Sequence, residues 1–184
     1  MAVAAHEGQY RKGAEQVHYA THPLHIAVML ARWGFEDRVI VAGLLHDVVE
    51  DCPDWTLERL DDEFGAEIAA IVRQLTEDKS RTWEERKRWA VDHVPQMTAD
   101  ALVVKAVDKL HNLQCLLAEL EAAADVETVW ARFRGGRERT LAHDEELVEA
   151  LAERVDPRLA HALRETRAAV VASDRGARES SAGS

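Results

Sequence analysis

Two stretches of the sequence are apolar around most of a helical circumference, yet both carry ionisable side chains in their middles. They are DRVIVAGLLHDVVED, residues 37–51, and TADALVVKAVDKLHNLQCLLAEL, residues 98–120. A helix that is apolar on most faces must be covered on most faces. The remaining chain therefore has to supply enough amphipathic helix to surround two central ones.

It does so in order. Residues 22–33, HPLHIAVMLARW, place Leu24, Ala27, Val28, Leu30 and Ala31 at helical spacing behind Pro23, and Gly34 closes that helix. Asp37 offers an N-cap to the first central helix, and Pro53 stops it. Asp54 or Thr56 can cap a short helix through Phe64, and Gly65 separates it from AEIAAIVRQLTED. Thr82 to Glu85 reads TWEE, a capping box that opens a polar helix running towards Pro95. Residues 126–151 read as one more helix, kinked or interrupted at Gly135 and Gly136, and Asp156 before Pro157 starts a last helix that fades by Ala172. The tail 173–184, SDRGARESSAGS, is low in complexity and is expected to be disordered. No segment alternates β-branched and polar residues as a strand would. The expectation is an all-α helical bundle, with one domain over residues 1–172.

Charge narrows the function. With 23 Lys plus Arg against 34 Asp plus Glu, the formal charge is -11, which opposes general affinity for nucleic-acid polymers or anionic lipid. An anionic ligand would need a local basic patch or a metal. No apolar run is long enough to span a bilayer, and the opening MAVAAHEGQYRKG has no signal-peptide core. Cys52 and Cys115 lack CxxC spacing, which suits a reducing compartment. A cytoplasmic protein acting on a small molecule is expected, with its oligomeric state left open.

The ionisable groups in the two central helices are the sharpest functional signal. His46, Asp47, Glu50 and Asp51 fall at i, i+1, i+4 and i+5 of the first, and Lys105, Asp108, His111 and Asn112 form a polar stripe on the second. Burying unpaired charge costs several kcal/mol, so such groups need mutual partners or a metal. Neutral imidazole with ionised carboxylate makes the N/O donor set that Mn²⁺, Fe²⁺ or Zn²⁺ accepts.

His22, the pair His46-Asp47 and the distant Asp108 resemble the H…HD…D signature of the HD-domain metal-dependent phosphohydrolases. The flanking text is more specific: H-x-GQ-x-RK from His6 to Lys12, HYATHPLHIA at 18–27, LLHDVVED at 44–51, FGAEI at 64–68 and KAVDKLHNL at 105–113. In that order and spacing the chain is similar, over about residues 6–120, to the hydrolase domain of the alarmone synthetase/hydrolases and to the small alarmone hydrolases. Those enzymes remove pyrophosphate from the 3′ position of (p)ppGpp using Mn²⁺.

The resemblance implies an HD-domain bundle, with His22, His46, Asp47 and Asp108 as metal ligands. It implies that Glu50 and Asp51 position and deprotonate the attacking water. Arg11 and Lys12 match a basic pair near the nucleotide and phosphates, Lys79 in TEDKS a lysine of the same pocket, and Asn112 an asparagine that contacts the nucleoside. Lys105 and Lys109 read as flanking charges, and Trp83, Trp89 and Trp130 as packing anchors.

The C-terminal part departs from the pattern. Similar hydrolases follow a Trp with an Arg and then a Tyr at four-residue steps. Trp130 and Arg134 fit, with Arg134 carried over as a substrate contact, but Glu138 stands at the Tyr step. That substitution predicts weaker discrimination at the far end of the nucleotide. Two alternatives stay open: an HD phosphohydrolase for another nucleotide, such as a nucleoside monophosphate or NADPH, and a metal-dependent nucleotide-binding module without turnover. Glu50 and Asp51 argue against the binder, which has no use for two more carboxylates facing a phosphate. The motifs match the hydrolase half of the bifunctional enzymes, so hydrolysis without synthesis is expected.

Overall fold

Wherever an apolar stripe of helical period is bounded by a cap or a glycine, the chain is helical. The computed structural model describes residues 1–11 and 17–182. A single turn, α1 (Ala2–Ala5), leads to α2 (Thr21–Arg32), α3 (Asp37–Leu45), the one-turn α4 (Val48–Asp51), α5 (Leu57–Phe64), α6 (Ala66–Leu75) and α7 (Trp83–Asp92). A 3₁₀ turn at Val94–Gln96 precedes the 24-residue α8 (Ala99–Ala122), which is followed by α9 (Val126–Trp130), α10 (Gly136–Ala152) and α11 (Pro157–Ala182). Among the described residues no strand forms, and an isolated antiparallel bridge pairs Tyr10 with His18. The fold is all-α, as its periodicity predicts. No helix of the described chain is long and apolar enough to cross a membrane.

The chain divides into two compact units, Met1–Asp108 and Lys109–Ser184. In the first, α3 packs against both α2 and α6, and α5 packs against α6. Ile26 and Leu30 of α2, Val39, Ala42 and Leu45 of α3, Leu60 of α5 and Val72 of α6 are buried. Each such Leu, Ile or Val contributes about 1.5–3 kcal/mol. The α2–α3 contact is built around Gly43, where a Cβ would stand 2.4 Å from Leu30 Cδ1 and 3.1 Å from Ile26 Cγ2.

Caps follow the local sequence. Thr56, not Asp54, caps α5 by accepting the Arg59 N–H at 3.2 Å. Thr82 and Glu85 exchange both bonds of the capping box at the start of α7. Glu36 rather than Asp37 is the N-cap of α3, which leaves the Asp37 carboxylate in the first turn, where the helix dipole favours it.

One central helix is interrupted against expectation, and the interruption expected at Gly135 and Gly136 forms. The first central helix breaks at His46 and Asp47, between α3 and α4. The helix expected over 126–151 is divided into α9 and α10, with Gly136 at φ +68 where the second begins. The second central helix runs unbroken as α8, and its buried Ala101, Leu102, Val104, Ala106 and Val107 lie on several faces.

In the second unit, α11 packs against α10 and α9. Lys109 pairs with the buried Asp144, so it is a structural partner and not a flanking charge. The indole Nε1 of the buried Trp130 donates to Asp174 Oδ1 at 2.7 Å, and Asp174 is itself buried. This contact lies beyond Ala172, where the periodicity fades, and α11 continues to Ala182.

Candidate metal centre

The first unit brings four side chains from three helical segments to one place. His22 stands in the first turn of α2, His46 and Asp47 at the α3–α4 break, and Asp108 on α8. His22 Nε2 lies 3.2 Å from Asp108 Oδ1 and 3.6 Å from Asp47 Oδ2. His46 Nε2 lies 3.0 Å from Asp47 Oδ2 and 3.9 Å from Asp108 Oδ1. One donor atom each from His22, His46 and Asp108 falls within 4.8 Å of the others, a spacing that could hold a metal ion. With bonds of about 2.1 Å to a shared ion, neighbouring ligand atoms stand about 3.0 Å apart and opposite ones about 4.2 Å. All four cross-distances fall in that range.

The break between α3 and α4 explains how two adjacent residues serve one point. In an unbroken helix successive side chains diverge by about 100°. At the break, both His46 and Asp47 face His22 and Asp108.

The donor chemistry fits a cation. His46 Nδ1 donates to the Gly43 carbonyl oxygen at 2.8 Å, because a carbonyl can only accept, so in the neutral imidazole the lone pair is at Nε2. That Nε2 is buried and makes no hydrogen bond; its 3.0 Å approach to Asp47 is a contact without hydrogen-bond alignment. Tyr19 donates its hydroxyl to Asp47 Oδ2 at 2.5 Å, the same oxygen that approaches His22 and His46, and so fixes the orientation of the carboxylate.

Charge inside the cluster is strongly coupled. Burial would lower the His46 pKa, but Asp47 and Asp108 outweigh it and raise it to about 9. Burial would raise both aspartates, yet His46 and Tyr19 hold Asp47 below the usual carboxylate range, and His22, His46 and Lys105 do the same for Asp108. Burial, with Asp47 next, pushes the Tyr19 hydroxyl far up, which keeps it a donor. Protons and a divalent cation thus compete for the His46 imidazole.

The acid pair sits on α4 beside this cluster. Glu50 Oε2 accepts the Glu77 N–H at 3.1 Å, and burial raises its pKa above an ordinary glutamate. Lys79 pairs with Asp51 Oδ1 and lies 3.8 Å from Glu50 Oε1. Burial would lower the Lys79 pKa, but these two acids raise it.

Several residues outside the expected site set shape it. Gln9 donates from Nε2 to the Asp51 carbonyl oxygen at 2.9 Å, and the buried His6 holds Gln9 through Nδ1 and Oε1 at 2.8 Å. The H-x-GQ text is thus a clamp on the end of α4. Tyr19 belongs to the HYATHPLHIA motif, whose only expected site residue is His22. Lys105, read as a flanking charge, approaches Glu77 to 4.0 Å.

The substrate-binding candidates have separate fates. Arg11 follows Gln9 by two residues, its N–H bonded to the Val17 carbonyl at 2.9 Å. Lys12 lies outside the described residues. Lys79 is brought to the acid pair. Asn112 and Arg134 belong to the second unit, Asn112 half-buried on α8 and Arg134 exposed between α9 and α10.

Comparison with known proteins agrees with this geometry. Residues 1–140 match the model of the HD domain family. The guanosine-3′,5′-bis(diphosphate) 3′-pyrophosphohydrolase MESH1 of Danio rerio is 43% identical over 117 residues, which cover 62% of this chain and 64% of that protein. The chain thus spans slightly less than two thirds of this relative's own length. MESH1 of Drosophila melanogaster is 32% identical over 138 residues, covering 71% of this chain and 76% of that protein. Among solved structures, a metazoan ortholog of SpoT that hydrolyzes ppGpp superposes with a TM-score of 0.77 at 28% identity, covering 90% of this chain and 88% of that one. The match over residues 1–140, with the histidines and aspartates gathered as described, shows that the chain belongs to the HD domain family, in the group that includes the MESH1 proteins.

Proposed function

We propose that the protein is a metal-dependent phosphohydrolase that releases pyrophosphate from the 3′ position of (p)ppGpp in the cytoplasm. The observation that carries this reading is the placement of the Glu50-Asp51 pair, with Lys79 on it, beside two histidines and two aspartates whose donor atoms converge. The names of the MESH1 relatives support the substrate.

His22, His46, Asp47 and Asp108 would hold a divalent ion, Mn²⁺ with Fe²⁺ and Zn²⁺ as alternatives, whose chemistry is Lewis-acid polarisation of a phosphoryl oxygen. The attacking water oxygen bonds to the phosphorus attached to the ribose 3′ oxygen. The bond from that phosphorus to the 3′ oxygen breaks, and the 3′ oxygen takes up a proton. Glu50 and Asp51 accept the proton the water loses, and burial makes Glu50 a stronger base than an exposed glutamate. Lys79 neutralises the acids until a phosphate oxygen offers it a further partner. Arg11 and Lys12 would meet phosphates, as the family resemblance implies.

The test is to incubate metal-loaded protein with a nucleotide panel and identify the product. Pyrophosphate released from ppGpp supports the reading, while inorganic phosphate alone, or no product, overturns it. Glu138, exposed in the first turn of α10, favours a broader nucleotide range as a second reading. In competition between ppGpp, pppGpp and NADPH, a preference above about a hundredfold, roughly 2.7 kcal/mol, would remove it.

A further inference from the structure

On the far side of Glu50 the first unit gathers charged residues that the reaction as described leaves unused. The Glu77 side chain is only 10% exposed, and its carboxylate lies 3.2 Å from Arg86 Nη1, 3.5 Å from Lys87 Nζ and 4.0 Å from Lys105 Nζ. Its backbone N–H is the one donated to Glu50 Oε2. Lys105 precedes Asp108 by three residues on α8, so the two side chains leave the same face of that helix one turn apart. The group is therefore tied to the acid pair through Glu77 and to the metal candidates through Lys105.

One carboxylate meets three cations, and the Nε of Arg86 is buried without a hydrogen-bond partner. A buried guanidinium donor without an acceptor is costly, and the cost falls when an anion takes its hydrogen bond. A guanidinium beside an ammonium suits a phosphate in particular, through charge-assisted hydrogen bonds.

We propose that Arg86 and Lys105, arranged around Glu77, form the subsite for the distal phosphate of a 3′-diphosphate. The proposal rests on the pyrophosphohydrolase reading and adds to it what separates a diphosphate from a monophosphate substrate. A monophosphate reaches the converging histidines and aspartates and the acid pair. A diphosphate placed there also reaches Arg86 and Lys105, so these two residues set the preference for removing both phosphates together.

The experiment compares metal-loaded wild type with Arg86→Gln and Lys105→Gln. Calorimetry measures binding of inorganic pyrophosphate and of inorganic phosphate, and kinetics measures kcat/KM on ppGpp and on the matching 3′-monophosphate. Wild type is expected to bind pyrophosphate about tenfold or more tighter than phosphate. Each substitution should lower that ratio, and the ratio of the two kcat/KM values, by about tenfold, the effect of one charge-assisted bond. Phosphate binding, metal content and helical circular dichroism should stay unchanged. If Arg86→Gln loses its helical signal, Arg86→Lys and Lys105→Gln carry the comparison. Wild type without a preference for pyrophosphate, or variants that weaken both anions equally, overturns the subsite. Loss of the pyrophosphate preference in the variants of a protein that leaves ppGpp intact supports the subsite and overturns the ppGpp reading alone.

Discussion

The carbonyl oxygen of Gly43 accepts the Nδ1 proton of His46 at 2.8 Å, and the same glycine lacks a Cβ where Leu30 fills the space. One residue thus sets the tautomer of a candidate metal ligand and the closeness of α2 to α3. Leu30 and Ile26 are fully buried and have little room to yield. Gly43→Ala is expected to cost about 1–3 kcal/mol and to weaken metal binding, read by chemical denaturation and metal titration. Wild-type values in both would show that the close approach does not position His46.

Catalysis and metal binding should separate by mutation. Glu50→Gln and Asp51→Asn are expected to lower turnover by about 10²–10⁴ while keeping most metal affinity, as for the loss of a positioned base. Asp108→Ala should lose metal and activity together. Metal content by elemental analysis alongside kcat decides it: an Asp51→Asn enzyme with unchanged turnover removes that residue from the mechanism.

Removing the metal should make stability depend on pH in a defined window. The His46 pKa is raised to about 9, so its imidazolium favours the folded state. That contribution is complete below the unfolded value of about 6.5 and is lost as pH rises from there through about 9. Asp47 is lowered, so its contribution is complete above about pH 4 and is lost as pH falls below it. Chelated protein should therefore melt at a constant temperature between about pH 4 and 6.5 and at falling temperatures up to pH 9. Metal-loaded protein, whose imidazoles are neutral, should show no such fall, and metal affinity should rise over the same interval. Equal melting of chelated protein at pH 6 and 9 would contradict this.

The second unit offers a test of its own. Asp174→Ala leaves the buried Trp130 Nε1–H without its acceptor and should cost about 1–3 kcal/mol. Asp174→Asn keeps an oxygen at that position and should recover much of the loss. Truncation after Ala172 should match or exceed the alanine variant in a denaturant titration, and an unaffected truncation would show that α11 is held by its earlier turns alone.

Local interactions were legible from the sequence by itself. Apolar residues at helical period, the Thr82–Glu85 capping box and Gly65 between α5 and α6 act within a few residues of themselves, so their consequences can be read in order along the chain. The apolar helices by themselves show only that His46, Asp47 and Asp108 need partners; it is the resemblance to a known family that joins His22 to them as one set. Tertiary structure alone decided who those partners are. It broke the helix at His46-Asp47, set the Tyr19 hydroxyl on Asp47, joined Glu77 to Glu50 and Lys105, and carried α11 past Ala172 to give Trp130 its acceptor. A buried polar atom takes whichever partner packing brings within about 3 Å, and that approach depends on residues far away in the chain.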